Sequence, residues 1–377
     1  MPSRSELHYP ALDGLRGMAA LMIVWRHFLQ LVPMHGRTLS ALSLITGFTW
    51  IGVDLFFVLS GFLITGILAD SKSKKNYFRS FYGRRVLRIF PLYYAVLAVV
   101  LLVFPAIGVH TGVSPNSEFS FWTYTCNFYF AYHGWFANYL THFWTLAIEE
   151  QFYLLWPLVI FFVRDVENLR RSLPWVVFAV LLLRIVLFLS GFDAIWLSLI
   201  TFTHCDGLLL GGYLALAIRS RSPRALNGLR PSKLILSLFL LLTLLVLNES
   251  GLFSAWDALP IVSFVRSMIT LPLWAIIFVW LIYAAAMRTS GRIYSFFSHR
   301  WMRWFGKYSY GLYVLHMPLG FLILQSVDLS QLSPARTLLA EAGLFFSYIG
   351  ACIACAFLSW HLYEKQFLKL KRYFQAG

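Results

Sequence analysis

Three basic side chains, Arg16, Arg26 and His27, lie in one otherwise apolar stretch near the start of the chain, LDGLRGMAALMIVWRHF at residues 12–28. Arg16 and His27 share roughly one helix face and lie about 16 Å apart along the axis, because 3.6 residues make a turn of 5.4 Å. Ionisable groups inside membrane helices are costly, so each suggests a function. His27 could be a general base. Alternatively, Arg16 extends to the headgroups and His27 forms an interhelical hydrogen bond.

A second set of charged residues could bind an anionic donor and assist the histidine. Arg85 and Arg88, at spacing i, i+3, lie at the predicted cytoplasmic end of a helix. Two guanidinium groups at this spacing suit phosphate binding, although a plain positive-inside anchor explains them too. Glu149 lies in a helix that we expect to descend from the outside, at about the depth of His27. It could orient the imidazole or balance its charge.

Further polar residues in the apolar stretches could support such a site, and these are Asp13, Asp54, Ser60, Glu150 and His316. No metal site is expected. Cys126 and Cys205 are scattered, and the CxxC of Cys352 and Cys355 lies in an apolar helix with no second pair, so all four are expected simply to pack.

The elements that would position these residues are membrane-spanning helices. The chain has 377 residues, of which 59% are hydrophobic and only 12% charged, and apolar runs long enough to cross a bilayer recur along it. We therefore predict an all-α, polytopic transmembrane helical bundle that forms a single domain over 1–377. The predicted helices are 11–33, 45–69, 89–109, 143–163, 174–190, 196–218, 234–250, 261–286, 308–327 and 338–360.

The distribution of basic residues gives the orientation of this bundle. With the N-terminus inside, 25 of the 31 Lys and Arg residues fall in predicted cytoplasmic segments and two in external ones. The positive-inside rule then predicts about ten spans with both termini cytoplasmic. The net charge of +15 is accounted for by topology, which argues against nucleic acid as a partner. The aromatic segment 110–142 is expected to be an interfacial belt or a lid.

Several strings, in this order and at these spacings, together resemble the acyltransferase 3 family of integral-membrane O-acyltransferases. They are YPALDGLRG at 9–17, Arg16 and His27 as the family's Arg-x10-His motif, FFVLSGFLI from Phe56, Arg85 and Arg88 as its RxxR motif, WTLAIEEQFY with Glu149 at the glutamate position, GKYSYGLYVLHMPL at 306–319 and WHLYEKQF at 360–367. The chain departs from the family at His204, where arginine is frequent, and at Glu364-Lys365-Gln366, where Glu-x-Pro is frequent.

The resemblance implies transfer of an acyl group, most often acetyl, from coenzyme A to a hydroxyl of an extracytoplasmic glycan or lipid-linked saccharide. Acyl-CoA would be a substrate, with no permanently bound cofactor, and the protein would lie in the bacterial plasma membrane. Arg85, Arg88 and Arg16 would anchor the donor phosphates. His27 would be the general base or a transient acyl carrier, with Glu149 assisting it. No added soluble domain is expected after the last helix.

A different class of function is compatible with the same composition and topology. A transporter or flippase for an anionic solute could line its path with the intramembrane arginines and relay protons through His27. The joint motif match and the lack of visible internal repeats favour the acyltransferase. Release of free thiol from acetyl-CoA in the presence of a glycan acceptor would discriminate between the two classes.

Overall fold

The computed structural model describes residues 9–32, 47–220, 260–287, 290–324 and 333–375, together with residues 238 and 327. In this part of the chain the regular secondary structure is entirely helical, which confirms the all-α prediction. The α-helices longer than three residues are α1 (Pro10–Leu31), α2 (Gly52–Ser71), α3 (Tyr77–Ala98), α4 (Pro115–Trp122), α5 (Cys126–His133), α6 (Phe143–Phe162), α7 (Val166–Leu189), α8 (Ala194–Leu199), α9 (Asp206–Arg219), α10 (Pro260–Met287), α11 (Arg292–Ser298), α12 (Arg300–Leu324), α13 (Pro334–Leu358) and α14 (Lys365–Lys369).

Several of these helices are long and apolar enough to cross a membrane. Within the described ranges there are six such stretches: Thr49–Ser71, Tyr77–Ala106, Phe143–Phe162, Val166–Leu189, Thr270–Met287 and Arg336–Phe374. Their length and composition support a membrane protein. The number of spans and the cytoplasmic position of the termini stay predictions. The predicted helix 234–250 lies outside the described residues except for residue 238.

The prediction of one continuous helix over 196–218 is wrong, because the helix is interrupted between α8 and α9. The Thr203 hydroxyl donates to the Leu197 carbonyl at 2.6 Å, and His204 Nδ1 lies 2.5 Å from the Ser198 carbonyl oxygen. These side chains satisfy carbonyl groups that a continuing helix would pair with its own N–H groups. The helix resumes at Asp206, whose carboxylate pairs with the buried Arg184 at 2.8 Å.

Helix α3 begins well before the predicted start at residue 89. It includes the basic stretch from Tyr77, and therefore Arg85 and Arg88 lie within the helix rather than before it. A hydropathy window leaves this polar first half out of the predicted span, although its backbone forms the same hydrogen bonds as any other helix.

The aromatic segment 110–142 contributes to the core of the molecule. Phe121, Cys126 and Phe130, on or beside α4 and α5, are almost completely buried in one cluster with aromatic residues of α3 and α6. The Gln151 amide on α6 donates to the Tyr124 carbonyl at 2.7 Å, which ties the segment to the bundle. The segment is therefore packed into the protein as well as rich in aromatic residues.

Glycines allow α1 to lie very close to α11 and α12. An added Cβ at Gly14 would be 1.9 Å from the Phe297 carbonyl oxygen, and one at Gly306 would be 1.8 Å from the Asp13 carbonyl oxygen. Helices α2 and α9 approach each other in the same way, since a Cβ at Gly61 would be 1.9 Å from the Leu208 carbonyl oxygen. Small residues at helix crossings are the usual means of close packing in membranes.

Replacing Gly306 by alanine should therefore destabilise the fold. The methyl group would meet the backbone of α1, which cannot move aside as a side chain can, and overpacking of this kind costs about 1–3 kcal/mol. We expect Gly306→Ala to lower the midpoint of thermal unfolding of the purified protein in detergent. Gly350→Ala in α13 is the matched control, because nothing lies within 4 Å of its added Cβ. Equal midpoints for the two variants would contradict the close crossing.

Candidate active site

Three neighbouring cavities lead from a cluster of arginines to His27. The arginine cavity, about 780 Å³, is lined by Arg16, Arg84, Arg85 and Arg88 among others. The middle cavity, about 190 Å³, shares Arg16, Arg85, Arg88 and Ile67 with it. The histidine cavity, also about 190 Å³, contains His27 and shares Val53, Thr145 and Tyr313 with the middle one. The shared walls show that the three spaces are adjacent, and this row of cavities is called the path below.

The arginine cavity is strongly positive. Its lining includes seven cationic side chains, namely Arg16, Lys74, Arg84, Arg85, Arg88, Lys307 and Lys371. The carboxylates in the lining are Asp13 and Asp70, and Asp70 is already paired with Arg219 at 2.7 Å. A cavity lined mainly by one sign of charge concentrates ligands of the opposite sign. This cavity is therefore suited to an anionic ligand, and its volume is in the range of small-molecule sites.

Aromatic faces, rather than carboxylates, hold the two central arginines. The Arg85 guanidinium lies over Tyr153 at 5.4 Å from the ring centroid, and that of Arg88 lies over Trp360 at the same distance. Neither residue forms an ion pair with a described carboxylate. Cation–π contacts orient a guanidinium without using its hydrogen-bond donors. Both groups therefore keep their N–H donors for a ligand.

Glu149 lies in the wall of the middle cavity and is hydrogen-bonded to α2. The Ser60 hydroxyl donates to Glu149 Oε1 at 2.7 Å, and the Tyr153 hydroxyl donates to Ser60 Oγ at 3.0 Å. The predicted pairing of Glu149 with the His27 imidazole is not among the hydrogen bonds of the described residues. Glu149 instead shares its cavity with Arg16 and Arg85, so its carboxylate faces the arginine end of the path.

His27 is paired with His316 across the crossing of α1 and α12. The His316 Nδ1–H donates to the Tyr313 carbonyl at 2.6 Å, because a carbonyl can only accept. In a neutral ring, Nε2 of His316 is then an acceptor, and it lies 3.0 Å from Nδ1 of His27. That Nδ1 is also 3.0 Å from the Ile23 carbonyl oxygen. The proton of His27 therefore resides on Nδ1, which leaves the Nε2 lone pair for a ligand in the histidine cavity.

A third imidazole, that of His142, completes this cluster. Its ring centroid is 4.7 Å from that of His316, and its Nε2 donates to the Val314 carbonyl at 3.2 Å. His142 Nδ1 is buried without a hydrogen-bond partner among the described residues. The Tyr313 hydroxyl donates to the His142 carbonyl at 2.9 Å and also contacts the Thr145 hydroxyl. Helix α12 thus positions His27 and the start of α6 together.

The other predicted supporting residues are dispersed around the path. Asp54 is buried in the wall of the histidine cavity, where its Oδ1 lies 3.3 Å from His204 Nε2. Asp13 lines the arginine cavity. Glu150 lines none of the three cavities, and its buried Oε1 has no hydrogen-bond partner among the described residues. The structure thus brings Arg16, Arg85, Arg88, Glu149 and Ser60 into one cavity, and His27, His316 and Asp54 into the region of the next.

Sequence reasoning missed His142, Tyr313 and His204 as parts of this site. His142 and Val314 are 172 residues apart in the chain, and His204 and Asp54 are 150 apart. No periodicity within one helix indicates such pairs. The available signal was weak: His142 lies two residues before the WTLAIEEQFY string that contains Glu149, and Tyr313 lies within the same motif as His316.

Comparison with known proteins gives a consistent result over nearly the whole chain. A family model described as an acyltransferase domain matches residues 9–362. Peptidoglycan O-acetyltransferase OatA of Listeria monocytogenes is 28% identical over 364 residues, which is 90% of this chain and 54% of that protein. O-acetyltransferase OatA of Staphylococcus aureus is 31% identical over 337 residues, or 84% of this chain and 51% of that protein. The chain spans about half the length of these relatives, and no solved structure matches it.

The tautomer of His27 can be tested directly. In protein labelled with ¹⁵N-histidine, with His27 assigned through the His27→Gln variant, we expect a protonated Nδ1 and a bare Nε2. His316→Leu removes one of the two acceptors near Nδ1 and should change its ¹⁵N chemical shift. His133→Leu is the control, because His133 is exposed and stacks on Tyr129 in the 110–142 segment. A protonated Nε2 in the unaltered protein would contradict this arrangement.

Proposed function

Because the chain belongs to the acyltransferase 3 family, we propose that it transfers an acyl group, acetyl in the first instance, from acyl-CoA to a hydroxyl of an extracytoplasmic glycan or lipid-linked saccharide. The names of two relatives support the acetyl group, and one also supports a glycan acceptor, peptidoglycan. The main observation behind the proposal is the path of shared cavity walls from the arginines to His27. The protein would act as a multi-pass protein of the bacterial plasma membrane.

The arginine cavity is the proposed donor site. Coenzyme A carries phosphates, and it is available on the cytoplasmic side, where the positive-inside rule puts this end of the bundle. Arg85 and Arg88 lie one helical turn apart, their guanidinium groups form no hydrogen bond with any other described residue, and Arg16 lines the same cavity. Charge-assisted hydrogen bonds from such groups to phosphate oxygens are among the strong ones.

The middle cavity would hold the pantetheine arm. About 16 Å separates Arg16 from His27 along α1, which is comparable with the reach of an extended arm of this kind. Glu149, held by the Ser60 hydroxyl, lines this cavity. Its carboxylate can accept hydrogen bonds from the amide N–H groups of the arm. In this arrangement Glu149 positions the donor, whereas His316 orients the imidazole.

The proposed chemistry is direct transfer with His27 as general base. Nε2 of His27 accepts the proton of the acceptor hydroxyl as the oxygen attacks the thioester carbonyl. The tetrahedral intermediate collapses, the C–S bond breaks, and the thiolate of coenzyme A leaves and takes up a proton from the imidazolium. The products are the O-acyl ester and free coenzyme A thiol. Transient acylation of His27 is the alternative route, and it would use the same nitrogen.

Loss of the basic nitrogen of His27 should abolish transfer. His27→Gln keeps a hydrogen-bonding side chain but cannot take up the proton, so we expect the rate of acceptor-dependent thiol release from acetyl-CoA to fall by about 10²–10⁴-fold. His27→Ala should be equally inactive, while both variants insert and purify normally. His133→Gln in the 110–142 segment serves as the control. Substantial transfer by well-folded His27→Gln would make the histidine structural, and absence of thiol release from the unaltered protein would favour a transporter.

Replacing both Arg85 and Arg88 by alanine should affect the donor selectively. Each charge-assisted hydrogen bond contributes about 1.5–3 kcal/mol, so the KM for acetyl-CoA should rise by at least about tenfold, with a much smaller change for the acceptor. The control is Arg79→Ala on the same helix, since Arg79 is exposed and lines none of the three cavities. An unchanged donor KM together with poor membrane insertion would return Arg85 and Arg88 to the role of topological anchors.

A further inference from the structure

Arg26, the residue before His27, is a charged group that the proposed mechanism does not use. It is half-buried and lines the histidine cavity. Among the described residues it forms no hydrogen bond or ion pair. A cation in the apolar part of a membrane protein is costly unless it is paired. Its position beside the reacting histidine suggests that its counter-charge comes with a ligand.

The carboxylate in the described wall of the histidine cavity already has another partner. Asp54 lines the same cavity, but its Oδ1 lies 3.3 Å from His204 Nε2. His204 Nδ1 in turn contacts the Ser198 carbonyl. Arg26 is therefore the permanent cation of the described cavity wall, and Asp54 does not form an ion pair with it. The local charge favours an anionic ligand.

Tryptophans provide much of the remaining wall of the histidine cavity. Trp50 and Trp135 keep 37% and 45% of their surfaces exposed, and both line the cavity together with Trp144. The rings of Trp135 and Trp144 meet edge to face with centroids 6.2 Å apart. Broad aromatic faces beside a few polar groups are typical of ligand sites. The C–H faces of a sugar ring are suited to such surfaces, whereas its hydroxyls suit the polar groups.

We propose that Arg26 determines acceptor specificity by binding an anionic group of the acceptor saccharide. This inference rests on the proposed acyl transfer. The sugar would lie against the tryptophans, with a hydroxyl at His27 Nε2 and a negatively charged group at the Arg26 guanidinium. Arg26 and His27 are adjacent on α1 and point about 100° apart around the helix, so they contact different parts of one ligand. The anion is a carboxylate on the sugar or the diphosphate of a lipid-linked saccharide.

The test compares acceptors that differ in the anionic group they carry. The first acceptor is a β-1,4-linked N-acetylhexosamine oligosaccharide that contains N-acetylmuramic acid with a free carboxylate. The second has that carboxylate converted to the primary amide, and the third is the amide with a diphosphate at its reducing end. Acceptor-dependent thiol release from acetyl-CoA gives kcat/KM for each, with the full chain in lipid nanodiscs.

We expect the unaltered protein to prefer an anionic acceptor over the amide by about tenfold or more, the usual effect of a charge-assisted hydrogen bond. Arg26→Gln should bring this ratio close to one, and Arg26→Lys should restore part of it. A preference for the first acceptor identifies the sugar carboxylate as the ligand, and a preference for the third identifies the diphosphate. Arg171→Gln is the matched control, because it removes an equal charge from an exposed side chain far along the sequence.

The inference fails if the unaltered protein uses charged and amidated acceptors equally, or if its preference persists in Arg26→Gln. Either result would exclude Arg26 as the residue that sets a preference for anionic acceptors. These outcomes require measurable acyl transfer and so leave the proposed function intact. Absence of thiol release with every acceptor would instead overturn the proposed function and, with it, this inference.

Discussion

The close crossing of α1 and α12 is the constraint on which the rest of the site depends. Gly306 lets the backbone of α12 meet that of α1 at Asp13, and further along the same pair of helices His316 lies 3.0 Å from His27. Because His27 and His316 lie on these same two helices, the close approach at the glycines also helps to bring the imidazoles together. The arrangement gives His27 a defined tautomer. Arg16 and Arg26 line different cavities, which lie on opposite sides of the membrane midplane that the sequence predicts.

The charged residues that line the path differ from a buried ion pair of the fold in how they are held. The buried Arg184, for example, is paired with Asp206 at 2.8 Å. Among the described residues the arginines of the path form no such ion pair, and Arg85 and Arg88 lie on aromatic faces instead. An unpaired cation inside a membrane protein lowers stability relative to a paired one. Such positions are therefore the part of the molecule where binding, rather than folding, explains the residue type.

The sequence predicted the helical class correctly. The structure places Arg16, Arg85, Arg88 and His27 in the walls of the adjacent cavities, and the roles assigned to them stay predictions. Local patterns carry that information. The sequence could not show whether Glu149 contacts His27. The predicted depth in the membrane gives the layer in which a side chain lies, but it does not identify the residues that surround it. Glu149 bonds to Ser60 at 2.7 Å, and this contact joins residues 89 apart in the chain. The break near residue 203 was missed for a related reason: apolar composition conceals side-chain to backbone hydrogen bonds.

Tyr313 joins the orientation of the base to the wall of the path. Its carbonyl accepts the His316 Nδ1–H at 2.6 Å, which makes His316 Nε2 an acceptor for His27. Its hydroxyl contacts Thr145, and these two residues, together with Val53, line both the middle and the histidine cavities. The residue that sets the tautomer of the base therefore also forms part of the wall that the middle and histidine cavities share. A displacement of this turn of α12 would alter that shared wall and the imidazole together, so the position of Tyr313 links the shape of the site to the orientation of the base.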